Sequence, residues 1–122
     1  MTKKKRGMGA QYANDFARLL DKFEEKNLAA DEKKGTACQI IQQLEFVCRG
    51  GIFDEKVRYD FYAVLSESCR DLVKLEMLIN QASDLVSRSA LKIYQTTWRV
   101  IVRAEDAGRI YRIEFEQKVE HQ

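Results

Sequence analysis

The amino-acid sequence predicts a mainly helical α+β domain, an irregular bundle of about four helices followed by a C-terminal antiparallel β-hairpin. Three observations lead to this fold class. Apolar residues recur at helical spacing through most of the chain, they alternate with polar residues over about positions 94–119, and glycine is the main segment breaker because proline is absent. The 122 residues, of which 45% are hydrophobic and 33% charged, are typical of one globular domain.

The first helix follows a short basic segment. Residues 1–9 are expected to be a disordered tail, with the folded domain over residues 10–122. Apolar side chains then recur at i, i+4, i+7, i+8 and i+11, and these are Tyr12, Phe16, Leu19, Leu20 and Phe23. The charge-dense stretch 30–35 after this helix is expected to be a solvated connection.

The second helix is expected to begin after Thr36, whose hydroxyl is a suitable N-cap for the free N–H groups of a first turn. Its core stripe consists of Ile40, Ile41, Leu44, Val47 and Cys48. Gly50 and Gly51 then provide a helix end, since glycine adopts the left-handed conformation at little cost.

The third helix is expected to start at an Asp54 cap, because a helical apolar period runs from Val57 to Ile79. We predict one long helix here, and the run 66–68 (Ser-Glu-Ser) is an alternative place for a bend or break. A short break is expected at 80–83. Ser83 then caps a fourth helix from Asp84 to about residue 92.

The hairpin is indicated by two runs of strict alternation, around a four-residue loop at positions 105–108. The predicted register pairs Val102 with Tyr111, Val100 with Ile113 and Trp98 with Phe115 on an apolar face. It pairs Arg99 with Glu114 and Ile101 with Arg112 on a mostly charged face. A helical stripe through 98, 101, 104, 108, 111 and 115 is the alternative, but it leaves several β-branched residues exposed and places Gly108 in mid-helix.

Composition argues against several classes of function. The only histidine is the penultimate residue, His121, and the three cysteines Cys38, Cys48 and Cys69 match no zinc-site spacing, so we expect free thiols and neither a metal nor a cofactor. Phosphate-binding glycine loops are absent, and no small-molecule substrate is indicated. We therefore predict that the protein is not an enzyme. No apolar run approaches the roughly 20 residues of a membrane span, so a cytoplasmic location, or the interior of a host cell, is expected.

Protein–protein interaction is the first functional hypothesis. A terminal hairpin has an exposed backbone edge, along either 94–103 or 109–119, that can extend a partner's sheet. Apolar residues outside the main stripes are candidate contacts with a partner: Tyr59, Tyr62, Tyr94, Ile101 and Ile110. The sequence thus favours a homodimer or a small subunit of a larger assembly.

Binding of DNA or RNA is the alternative. The net charge of +2 comes from the N-terminal segment, because without its four basic residues 17 basic residues stand against 19 acidic ones. Helices followed by a hairpin is also the element order of a winged-helix domain, whose recognition helix would be residues 82–95 with Ser87, Arg88, Lys92 and Gln95 exposed. The candidate contacts are Lys3, Lys4, Lys5, Arg6, Arg88, Lys92, Arg99, Arg103, Arg109 and Arg112.

Overall fold

The computed structural model describes residues 7–49, 55–88, 94–105 and 108–119. Within these ranges the chain forms four helices followed by a two-stranded antiparallel hairpin, which confirms the predicted fold class. The elements are α1 (Gly7–Phe23), α2 (Ala30–Cys48), α3 (Glu55–Ser68), α4 (Leu72–Arg88), β1 (Tyr94–Glu105) and β2 (Gly108–Val119).

The helices enclose one apolar core. Helix α1 packs mainly on α3 and also contacts α2, while α2 packs on α4. In the α1 stripe Phe16, Leu20 and Phe23 are buried, whereas Tyr12 and Leu19 are half-buried. At the N-terminal end of α1, Gly9 allows a close approach to α3. A Cβ atom on Gly9 would lie 2.8 Å from the Cβ of Asp60, and nearer still to the carbonyl oxygen of Val57. The separation of α1 and α3 therefore depends on glycine at this position.

The hairpin has the predicted register. Trp98 pairs with Phe115, Val100 with Ile113 and Val102 with Tyr111, and the outer pairs follow as expected. The pairing extends further toward the turn than the predicted four-residue loop, because Glu105 still pairs with Gly108. Only positions 106 and 107 lie between the strands, and they are outside the described residues.

The apolar face of the hairpin covers the helices. Strand β1 lies against α4, and β2 lies against α3 and the end of α2. Trp98 is fully buried, with its ring centroid 5.1 Å from that of Phe115. The Arg49 guanidinium lies 4.3 Å from the Phe115 ring centroid, a cation–π contact that closes the core beside α2.

Two predicted boundaries in the first half of the chain are wrong. Residues 7–9 belong to α1, so the helix begins inside the expected tail, whose residues 1–6 are outside the described residues. Helix α2 begins at Ala30, so the stretch 30–35 is its start and not a connection. Thr36 is therefore not a cap: it is buried inside α2, and its hydroxyl donates to the carbonyl oxygen of Glu32 at 2.9 Å.

The second half is divided differently from the prediction. The single long helix is wrong, because α3 ends at Ser68, next to the alternative break, and α4 starts at Leu72. Asp71 caps α4 by accepting the Lys74 N–H at 3.1 Å. The predicted break at 80–83 is also wrong, since α4 continues to Arg88 and Ser83 lies within it. The expected Asp54 cap and the Gly50–Gly51 helix end are outside the described residues.

Candidate functional site

The outer edge of β1 is covered by α4 at one end. The Trp98 N–H donates to Asn80 Oδ1 at 3.2 Å, and the Ser83 hydroxyl donates to the Thr96 carbonyl at 2.7 Å. Trp98 and Phe115 therefore form a non-hydrogen-bonded pair, and every second residue of β1 points its backbone groups away from β2. Two side chains of α4 thus form hydrogen bonds with some of the outward-pointing backbone groups of β1.

The opposite edge of the hairpin is covered near its centre by α2 and α3. The Cys48 thiol donates to the Ile113 carbonyl at 3.2 Å. The Tyr62 side chain forms hydrogen bonds with the Cys48 side chain and with the backbone of Ile113. Burial raises the pKa of Cys48 from 9.0 to about 12, and burial together with Cys48 raises the pKa of Tyr62. Both groups are therefore neutral at physiological pH and act as hydrogen-bonding partners of the strand edge.

The β1 edge beyond Trp98 is uncovered. By the same alternation, Val100, Val102 and Ala104 point their N–H and C=O groups away from β2, and no bond from another described residue reaches these groups. Val100 is half-buried, Ala104 is exposed, and Val102 is 36% exposed although it lies on the apolar face. We call this stretch, residues 100–104, the open edge.

Helix α4 presents apolar side chains beside the open edge. Because Ser83 contacts Thr96 and Asn80 contacts Trp98, α4 and β1 run in opposite directions, and the N-terminal half of α4 lies toward the open edge. On a helical wheel Val73 falls about 20° and Met77 about 60° from Asn80. Val73 is 78% exposed and Met77 48%. A backbone edge and two exposed apolar side chains therefore lie on one side of the molecule.

The structure does not bring the predicted partner-binding residues into one patch. Tyr59 is exposed on α3, whereas Tyr62 is half-buried in the contact with Cys48. Ile101 and Ile110 share the outer face of the hairpin, where both are half-buried. Tyr94 begins β1 and pairs with Val119, but its side chain is outside the described set.

Sequence reasoning missed the residues that do lie together at the open edge. The sequence places Val102 on the apolar face of the hairpin with Trp98, and its 36% exposure shows that this face is only partly covered at Val102. The sequence does contain a signal for Val73 and Met77: both are apolar residues that fall outside the apolar stripe of α4, a pattern that indicates exposed apolar side chains.

The predicted nucleic-acid contacts are only partly described. Lys3, Lys4, Lys5, Arg6 and Lys92 are outside the described residues, and of Arg88 only the backbone is described. On the hairpin Arg99, Arg103 and Arg109 are exposed, and Arg112 pairs with Glu114 at 2.8 Å. The expected recognition helix at 82–95 is wrong: positions 82–88 are the end of α4, and Gln95 lies in β1.

The described residues also form concave surfaces between the helices. An open groove of about 930 Å³ is lined by side chains of α1 and α2, among them Tyr12, Leu19, Gln39 and Phe46. A smaller cavity of about 170 Å³ lies beside the α3–α4 connection near Cys69. The described part of the chain holds no group of three or more metal-ligating side chains, and none of its helices is long and apolar enough to cross a membrane.

Comparisons with protein-family models, curated proteins and solved structures gave no match. The functional assignment therefore depends on the geometry and chemistry of this chain alone. Of the surfaces described, the open edge combines unsatisfied hydrogen-bonding capacity with exposed apolar side chains.

Proposed function

We propose that this protein is a non-enzymatic interaction module that self-associates through the open edge of β1. One observation carries the proposal: α4 covers the edge at Thr96 and Trp98, and the same edge continues uncovered through residues 100–104. A strand edge with free N–H and C=O groups is a template for pairing with another strand.

The side chains at the open edge support this proposal. Natural proteins protect exposed strand edges with charged residues, proline or bulges. The outward-pointing positions 100, 102 and 104 carry valine, valine and alanine, and the ladder is regular through all three. The β2 edge differs, because Cys48 and Tyr62 occupy its centre. Of the two edges, β1 is the better candidate for association.

Nearby exposed apolar residues add contact area for a second chain. Val73 and Met77 on α4 lie on the side from which a strand would approach. Their burial would add to backbone hydrogen bonds that contribute about 1 kcal/mol each. A pairing of so few residues forms a small interface, so we expect a dimer whose population depends on protein concentration.

Sedimentation velocity over a concentration series tests the proposal with two matched variants. Val102→Lys places a charge on the open edge, and Gln117→Lys places the same charge on the exposed end of β2. We expect the wild type and Gln117→Lys to dimerise alike, and Val102→Lys to remain monomeric. A wild-type chain that is monomeric up to millimolar concentration, or equal dimerisation of both variants, would contradict self-association through this edge.

Nucleic-acid binding is a separate outcome of the same experiment. Adding a short duplex at two salt concentrations detects phosphate contacts, since their contribution weakens steeply as salt rises. The exposed arginines Arg99, Arg103 and Arg109 are the described candidates. A salt-sensitive complex that forms equally with the Val102→Lys monomer would favour the nucleic-acid hypothesis over self-association.

A further inference from the structure

We propose that two copies of the chain pair β1 with β1, antiparallel, about a two-fold axis at Val102, and so form a continuous four-stranded sheet. This inference rests on the proposed function, because it assumes self-association through the open edge. It adds the identity of the partner, a second copy, and the register of the pairing.

Backbone alternation limits the registers. Only even-numbered residues of β1 point their hydrogen-bonding groups outward, and α4 already engages the Thr96 carbonyl and the Trp98 N–H. A two-fold axis at Val102 pairs Val102 with its own copy and Val100 with Ala104 of the second copy. This register uses all three open residues and none that α4 occupies. An axis at position 100 would require the Trp98 groups and is disfavoured.

The positions of the charged side chains distinguish the registers centred on positions 101, 102 and 103. An axis at Ile101 would set Arg99 opposite Arg103 of the second copy, and an axis at position 103 would set Arg103 opposite itself. Like charges directly opposite each other destabilise a sheet. The axis at Val102 sets Arg103 opposite Ile101, so the arginine stem can cover an apolar side chain while its guanidinium remains in water. Of the axes at positions 100 to 103, only the axis at Val102 therefore avoids both the groups that α4 engages and an arginine–arginine pair.

The two faces of the combined sheet agree with this register. On the inner face Val100, Val102 and Ala104 of both copies would lie together, which removes the 36% exposure of Val102. On the outer face Ile101 and Arg103 alternate across the new strand pair. The sheet order would be β2-β1-β1-β2, with α4 of each copy flanking the junction.

Cysteine cross-linking reads the register directly. In the proposed register Val102 and its own copy form a hydrogen-bonded pair, whose Cα atoms lie about 5.5 Å apart, within the range that a disulfide spans. Val102→Cys should therefore form a disulfide-linked dimer rapidly, and Ile101→Cys and Arg103→Cys should form it much more slowly. The unmutated chain is the background control, because its three cysteines are free and half-buried. Faster linkage at position 101 or 103 would overturn the register.

A charge substitution provides a second readout that needs no cross-link. In the proposed register Ile101→Glu faces Arg103 of the second copy twice per dimer, so we expect dimerisation to tighten roughly threefold to tenfold. With an axis at Ile101 the same glutamate would face itself and weaken the dimer. Weakening by Ile101→Glu would contradict the register while self-association stands, whereas a monomeric wild type would contradict the proposed function itself.

Discussion

Two glycines in the helices should respond to alanine in opposite directions. Gly9 lies in α1 against α3, where a Cβ atom would be 2.8 Å from Asp60 Cβ and in collision with the Val57 backbone. Gly35 lies in α2 with nothing within 4 Å of its Cβ position. The same chemical change therefore meets a packed helix interface at one site and open solvent at the other.

The expected magnitudes follow from these surroundings. Alanine in place of glycine within an exposed helix stabilises by up to about 1 kcal/mol, so Gly35→Ala should raise the free energy of unfolding. At Gly9 the obstacle is backbone, which cannot rotate away, and overpacking costs about 1–3 kcal/mol. Because the propensity gain offsets only part of this cost, we expect Gly9→Ala to destabilise by roughly 1–2 kcal/mol.

Urea unfolding followed by circular dichroism measures both variants against the wild type. The midpoints should move to higher urea for Gly35→Ala and to lower urea for Gly9→Ala. Equal stabilisation by the two substitutions would refute the close α1–α3 approach. Destabilisation by Gly35→Ala would refute the assignment of residues 30–35 to the start of α2.

Two further predictions concern the contacts that hold the hairpin. Because burial raises the folded-state pKa of Cys48 to about 12 from 9.0, its contribution to stability is complete below pH 9 and declines as the pH rises toward 12. Wild-type stability should thus fall by about 1.4 kcal/mol between pH 8 and about pH 10 from this group, and Cys48→Ala should show a shallower decline in urea titrations. Ser83→Ala should cost about 1–2 kcal/mol in the same assay, because it leaves the Thr96 carbonyl without its 2.7 Å donor. Ser66→Ala, which loses only a bond to Ala63 within its own helix, should change stability little, and equal effects of the two serine variants would contradict the α4–β1 contact.

The hairpin could be predicted from the sequence because its determinants are local. Alternation with period two, a short turn near Gly108 and the placement of Trp98 and Phe115 on one face define a single register. A slip by one residue would turn the apolar set to solvent, so few alternatives remain.

Helix boundaries were less predictable because polar residues have more than one use. Thr36 and Ser83 are suitable caps by residue type, yet both hydroxyls donate to carbonyl oxygens from within a helix. The real cap of α4, Asp71, lies inside an apolar period that resembles one long helix. The break there is also held by the Tyr111 hydroxyl, which donates to the Cys69 carbonyl. That contact joins positions 42 residues apart and leaves no local signal.

The position of the candidate site could not be predicted, because it depends on contacts between residues far apart in the sequence. The sequence predicted a strand edge as a candidate interaction surface, but it did not show which part of that edge the helices cover. That division comes from Asn80 and Ser83, which reach β1 residues 18 and 13 positions away. It also comes from the partial exposure of Val102, which depends on tertiary packing and not on the local sequence pattern.

Amide hydrogen exchange at increasing protein concentration tests self-association through the open edge most directly. The Trp98 amide is bonded to Asn80 within the chain, so its protection should be independent of concentration. We expect protection of the Val100, Val102 and Ala104 amides to rise as the dimer forms, while the Phe115 amide on the β2 edge stays unchanged. Concentration-independent exchange at Val102, or protection that appears only on the β2 edge, would contradict the account.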